Sequence, residues 1–214
     1  MIGVGKISPT TRTNSAEAQV APTATEPEYR RFDTASTAGS QNCGIDLENV
    51  STSTNGRLIT LANLLSWRVR IKLPNVSTNV RCWGGIGAWS NALVPGAAGV
   101  MDTDTPNLNF VGFRFSTHAG DANWKLVTQT DNTHQTVTTL TGLPAIDTAG
   151  HTFELTFDGT NIRASVDGIE YGSSAGNLPS TTQLLSGAVT LDNVSGGVVR
   201  QLDFNSNIFE LKEQ

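Results

Sequence analysis

The sequence predicts an all-β protein, a two-sheet antiparallel sandwich with an extended N-terminal arm. Three observations carry that expectation. Residues 151–172, HTFELTFDGTNIRASVDGIEYG, hold three alternating segments joined by two turns. Similar segments recur along the chain at roughly 8–12-residue spacing, with turn signals between them. With 21 Gly and charged residues at only 15%, the composition suits short strands and many turns. Helices would draw more on Glu, Lys, Leu and Ala.

Within 151–172, Phe153, Leu155 and Phe157 alternate with Glu154, Thr156 and Asp158, the period of a half-buried strand. A loop at Asp158-Gly159-Thr160-Asn161 sets Phe157 opposite Ile162, Leu155 opposite Ala164 and Phe153 opposite Val166. Each apolar residue then gains an apolar cross-strand partner, and such pairs fix a register. Asp167-Gly168 is a turn of the kind that accepts positive φ at both central residues. It sets Val166 opposite Ile169 and Ala164 opposite Tyr171.

Taken in order, residues 1–30 stand apart. They are rich in Thr, Ala, Pro and Ser, show no usable periodicity, and bury too little apolar surface to offset their own entropy. They read either as a solvated tail or as an assembly arm that orders on a neighbouring subunit. In the second case Met1, Ile2 and Val4 form its docking tip, and Tyr29, Arg30 and Arg31 lie where it joins the globular part. The chain thus divides into an arm, 1–30, and a sandwich, 31–214.

Trp67, Val69, Ile71 and Leu73 alternate with Ser66, Arg68, Arg70 and Lys72, one strand with an apolar face inward and a basic face outward. Pro74 ends it, since proline cannot donate to a ladder. The basic row is a solvated strand face, or a contact for an acidic partner or acidic glycan. In VRCWGGIGAW, Val80, Cys82, Ile86 and Ala88 share one face, with Trp83 and Trp89 on the other. Those rings are core under a covered face, or they line a groove that stacks on sugars.

The following loop carries Asp102, Asp104, Asn107 and Asn109 in D-x-D-x-x-N-x-N spacing. Calcium favours such oxygen donors, with Asp102 and Asp104 the candidate ligands, but it needs about six to eight of them. Turn chemistry explains the same residues without an ion. Beyond the loop, Val111, Phe113 and Phe115 mark a strand, as do residues 124–127, 135–140 and 184–191. Residues 198–211 form a last strand or pair, with Leu202, Phe204 and Ile208 continuing an apolar face.

The net charge of −5 argues against nucleic acid as a partner, because phosphate binding needs a basic surface. No apolar run reaches the length of a membrane span, and the N-terminus lacks the pattern of a secretory signal. Synthesis in a cytoplasm is expected, with Cys43 and Cys82 as free thiols rather than a disulfide.

From Phe110 onward the order of features resembles the concanavalin A-like, laminin-G-like jelly-roll domains, and among them versions encoded by tailed bacteriophages as small virion proteins. Gly112, Phe113, Arg114, Ser116, Thr117, Gly120, Asp121 and Trp124 match a strand followed by a G-D-x-x-W turn. Asp158, Gly159, Asp167 and Gly168 match the paired DG turns of the meander. The resemblance implies a jelly-roll sandwich of two antiparallel sheets with the first and last strands adjacent. It covers about half the chain firmly and does not reach the arm.

The fold hosts lectins, glycoside hydrolases and structural modules, so chemistry must be argued from residues. Retaining glycosidases on this fold carry E-x-D-x-x-E on one strand, which sets two carboxylates about 5–5.5 Å apart. No such run exists here. Glu154 and Asp158 bracket the clearest strand on its outward phase, where solvation would not raise an acid's pKa. His118, His134 and His151 fall at turns or strand starts without an adjacent nucleophile, and Gly84-Gly85-Ile86-Gly87 lacks the residues of a phosphate loop.

These readings lead to a non-enzymatic structural protein on the outer surface of a virion, needing no cofactor. Its expected partners are other virion proteins and copies of itself. The alternative is a lectin-like module that binds host-surface glycan through Trp83, Trp89 or Trp124 and the loop carrying Asp102 and Asn109. A polysaccharide hydrolase stands third.

Overall fold

The computed structural model describes residues 2–4, 7–11, 16–24, 27–34, 36, 38, 40–46, 59–75, 78–88 and 103–212. Among these residues there are strands and turns but no helix. The strands are β1 (Ile2–Val4), β2 (Ile7–Thr11), β3 (Ala16–Val20), β4 (Tyr29–Asp33), β5 (Ser40–Asp46), β6 (Leu64–Lys72), β7 (Val80–Gly87) and β8 (Phe110–Ser116). They continue as β9 (Lys125–Gln129), β10 (Gln135–Thr139), β11 (Gly150–Phe157), β12 (Ile162–Val166), β13 (Ile169–Ser174), β14 (Ser186–Asn193) and β15 (Gln201–Leu211).

Two antiparallel sheets result. One has the order β13-β12-β11-β6-β15-β4-β3, with β1 also on β15, and the other β10-β9-β8-β7-β14-β5-β2. The first and last strands are thus neighbours, Gly3 standing opposite Phe209. Between the sheets lies one core, in which Trp67, Val69, Ile71 and Phe153 of one sheet meet Cys82, Ile86, Phe113 and Leu126 of the other. The rings of Phe113, Phe153 and Trp124 pack in sequence, with centroids 4.9 and 4.7 Å apart.

The meander has the expected register over β11 and β12, including Phe153 opposite Val166 and Phe157 opposite Ile162. Asp167 and Gly168 adopt φ of 51° and 80°, which lets a two-residue turn match the strand twist. The outer strand differs from expectation. A bulge after Ala164 pairs that residue with Gly172, so Tyr171 has no partner on β12. A second bulge, between Asn205 and Asn207, shifts the phase of β15 by one residue. Phe209 therefore enters the core opposite Trp67, while Ile208 stands opposite Arg68 on the outer face. A one-residue slip exchanges the two faces of a strand.

Within residues 1–30 the described strands pair with other strands of the same chain. Backbone strands that contain Ile2 and Val4 pair with β15, and β2 and β3 pair with β5 and β4 of the same chain. Tyr29, Arg30 and Arg31 begin β4, inside the sheet. Met1 lies outside the described residues. The Arg31 guanidinium donates to both carboxylate oxygens of Asp203 at 2.7 and 2.8 Å.

Gly85 and Gly112 face each other across β7 and β8, and the Phe110 ring lies over both. A Cβ on Gly85 would meet the backbone of Val111 and Gly112, which cannot rotate away. Gly85→Ala is expected to destabilise the chain by about 1–3 kcal/mol. Denaturant titration checks this, and an unchanged midpoint would refute the close approach.

Candidate functional site

Two places gather polar chemistry. The first is the outer face of the seven-stranded sheet, where β7 and β8 bring Arg81, Trp83, Phe110 and Arg114 side by side. Residues 103–109 lie over this face. The Gln129 side-chain amide donates to the carbonyls of Pro106 and Leu108 at 2.6 and 3.0 Å. Gln135 and Arg114 each donate to the Asp104 carbonyl at 3.0 Å, and Pro106 and Leu108 are buried.

Beneath that segment the charges are paired. Arg81 donates to Asp104 at 2.8 Å and to Asp192 at 2.5 Å. Arg114 grips Asp121 through both oxygens, at 2.9 and 3.1 Å, and lies 5.6 Å from the centre of the Trp83 ring. Burial pushes the Asp104 carboxyl up. Hydrogen bonds from Arg81, Ser116 and His118 outweigh it and hold the group well below the usual carboxylate range. Its contribution to stability is therefore complete above the unfolded value and fades as pH falls through the folded one.

This geometry answers the readings of the first tryptophans and the loop. Trp83 is fully buried, its edge against Phe110 at 5.4 Å, so it offers no free face for a sugar. Asp104 has both oxygens on Arg81 and one on His118, a neutralised carboxylate rather than a calcium ligand. Asn109 is half-buried and accepts from the Ala88 backbone at 2.9 Å. Trp89 and Asp102 lie outside the described residues. Among the described residues no cluster of His, Cys, Asp and Glu is arranged to hold a metal. Cys82 is a free buried thiol whose pKa burial pushes up.

The second place is a pocket at one end of the sandwich. Ile71, Leu73 and Phe153 form its floor, Trp124 and Tyr171 its aromatic walls, and residues 143–147 a rim. The enclosed part measures about 60 Å³, room for a few waters or the edge of one ring. At the mouth His151 stands between two carboxylates: Nδ1 is 2.6 Å from Asp167 and Nε2 is 3.0 Å from Asp147. Asp167 also accepts from the Thr152 backbone at 2.8 Å. Burial pulls the imidazole pKa down, but the two carboxylates prevail and raise it above 6.5. His151 in turn holds the Asp147 carboxyl below its ordinary value.

Trp124 is the one expected ligand residue that this pocket includes. Asp147, Asp167 and Tyr171 were missed. Asp147 and Asp167 lie 4 and 16 residues from His151 in separate turns, and the β11–β12 hairpin with the turn before β11 brings both to its ring, while Tyr171 follows on β13. The other carboxylates of the meander are engaged elsewhere. Glu154 accepts from Arg68 at 2.7 Å. Asp158 caps its own turn, and backbone donors from Asn161 and Thr160 lower its carboxyl to about 2. Among the described strands none presents E-x-D-x-x-E.

Neither a protein-family model nor a curated protein matches the chain. Solved structures do. The chain is similar to an endo-β-1,4-glucuronan lyase of the fungus Trichoderma reesei, at TM-score 0.61 and 9% identity, over 98% of this chain and 94% of that one. It is similar to a Bacillus licheniformis β-glucanase at TM-score 0.54 and 13% identity, over 95% of each chain. A third likeness, at TM-score 0.54 and 12% identity, covers 85% of this chain and 74% of Rv0315, an immunostimulatory antigen and pseudo β-1,3-glucanase of Mycobacterium tuberculosis.

The fold is thereby shown to be a two-sheet jelly-roll sandwich, and at these identities the likeness establishes the fold alone. The expectation of a non-enzymatic virion protein is corrected. The structures that share the architecture over nearly the whole chain include a β-glucanase and a glucuronan lyase, and the phage connection finds no support among them.

Asp121→Ala would leave the Arg114 guanidinium buried without its carboxylate. A loss of about 3–5 kcal/mol is expected, read by thermal or chemical denaturation. A loss no larger than that of the exposed-pair variant Arg163→Ala would contradict the buried network.

Proposed function

We propose that the chain is a polysaccharide-active enzyme whose substrate is a neutral β-linked glucan, with the edge of one sugar ring engaged at the pocket of Trp124, Tyr171, Asp147 and Asp167. The observation that carries the reading is this pocket, an apolar and aromatic hollow with two carboxylates at its mouth. Sugars present an apolar ring face and hydroxyl donors. Aromatic walls take the first and carboxylate oxygens the second. A fold like that of β-glucanases supports the substrate class.

A neutral chain is favoured over a polyuronate by charge. The protein carries −5, and Arg31, Arg68, Arg81, Arg114 and Arg163 each face a carboxylate. Among the described residues a polyanion would meet these arginines with their charge already offset by a carboxylate. The row Arg68, Arg70 and Lys72 is likewise engaged: Arg68 by Glu154 and Glu210, Arg70 by the Tyr29 hydroxyl, and Lys72 over the Tyr29 ring.

The test incubates the full chain with mixed-linkage and β-1,3-glucans and, separately, glucuronan. It follows new reducing ends and the absorbance of unsaturated uronate products. Reducing ends from glucan are expected. Asp167→Asn, whose amide tolerates the positive φ of that turn, is expected to lower turnover, and Tyr171→Ala to weaken glucan affinity about tenfold. Product from glucuronan alone would overturn the substrate, and no product or binding with any glucan would overturn the function.

A further inference from the structure

The group at the pocket mouth joins the turn before β11, the start of β11 and the turn after β12. Asp147 lies between β10 and β11, His151 is the second residue of β11, and Asp167 begins the turn from β12 to β13. Asp167 is fixed independently of the imidazole, since its backbone N–H donates to the Thr152 carbonyl and its carboxylate accepts from the Thr152 N–H, both at 2.8 Å. The segment of Asp147 is held differently. At its start the Asn123 amide donates to the Leu143 carbonyl at 3.3 Å. Leu143 and Ile146 rest half-buried against the core, and at the segment's end Asp147 receives the Ala149 N–H of its own turn at 2.8 Å, its polar contact with the sheet being the one to His151.

We propose that His151 is a pH-sensitive latch: protonated, it holds residues 143–149 against the pocket, and deprotonated, it releases them. An imidazolium donates from both nitrogens and so satisfies both carboxylates. A neutral ring keeps one proton, and its other nitrogen turns a lone pair toward a carboxylate. The proton stays with the shorter contact, at 2.6 Å to the already anchored Asp167, and the 3.0 Å contact to Asp147 is lost.

The surroundings of the ring leave the two carboxylates in control. Opposite His151 on β6 stands Ile71, whose neighbours Arg70 and Lys72 point to the other face of the sheet. From β12 and β13 come Asp167 and Tyr171, from the segment Asp147, and from the approach to β9 the uncharged Trp124. The charges that act on the ring are those of Asp167 and Asp147, and they raise its pKa against the pull of burial. The latch is therefore closed below that raised value and opens as pH rises through it. Any control of glycan binding rests on the pocket being the glycan site, whereas the latch itself is testable without glycan.

The experiment is an NMR pH titration of the isotope-labelled full chain, following the His151 ring, the amides of 143–149 and the Trp124 indole, with glucan affinity measured in parallel. The ring and the segment are expected to change together with one midpoint above 6.5. Amide exchange of the segment, corrected for its intrinsic pH dependence, should rise about tenfold on the alkaline side, the scale of one charged hydrogen bond. His151→Gln should abolish the step. Asp147→Asn, at an exposed position that leaves the fold intact, should let the ring titrate while the segment stays unresponsive. A segment that does not follow the ring, or a step that survives in His151→Gln, overturns the latch. A segment that follows the ring in a chain that binds no glucan upholds the latch and defeats only the proposed function.

Discussion

The structure depends on the placement of one strand. β6 pairs with β11 on one side and β15 on the other, and its alternation sends Trp67, Val69 and Ile71 into the core. Across the sandwich β7 answers with Gly84. A Cβ there would come within 2.7 Å of Ile71 Cδ1, with the Trp67 ring at 3.9 Å. The sheets can approach because one side of this contact has no side chain. Each of the three β6 residues is essentially fully buried, worth about 1.5–3 kcal/mol apiece. Slipping β6 by one residue would drive Arg68, Arg70 and Lys72 inward and forfeit those terms at once.

The same placement determines where a ligand finds room. On the outer face of β6 the basic row is absorbed by Glu154, Glu210 and Tyr29. On the outer face of the opposite sheet, residues 103–109 lie over Trp83, with Gln129, Gln135 and Arg114 donating to their carbonyls. Among the described residues these parts of both broad faces are occupied by interactions of the chain with itself. At the end of the core, where β6 ends, Ile71 and Leu73 become the floor of the pocket. The strand that anchors the sandwich also shapes its open end.

Much of this architecture was legible in the sequence because it is local. Alternation and DG turns set the register of β11 on β12, and the same signal placed Trp67 and Phe113 inward. The exceptions are bulges. Nothing in VVRQLDFNSNIFEL marks the extra residue that moves Phe209 inward and Ile208 outward, and nothing in SVDGIEYG marks the one that leaves Tyr171 unpaired and free to line the pocket. The pocket itself was hidden for a different reason. Each histidine reads as a solvated turn residue, and only the folded hairpin shows that Asp167, 16 positions on, and Asp147, 4 positions back, both reach the His151 ring. Function was misjudged on the same ground. The missing E-x-D-x-x-E motif was taken as absence of chemistry, although motif scanning sees one strand at a time.

The central claim is that a neutral β-glucan is engaged at the end of the sandwich and not on either broad face. A crystal structure of the chain with a bound β-glucan oligosaccharide tests it most directly. The account predicts a sugar ring against Trp124 and Tyr171 with hydroxyls on Asp147 and Asp167. Sugar density on the outer face of the seven-stranded sheet, with residues 103–109 displaced from Trp83, would contradict it.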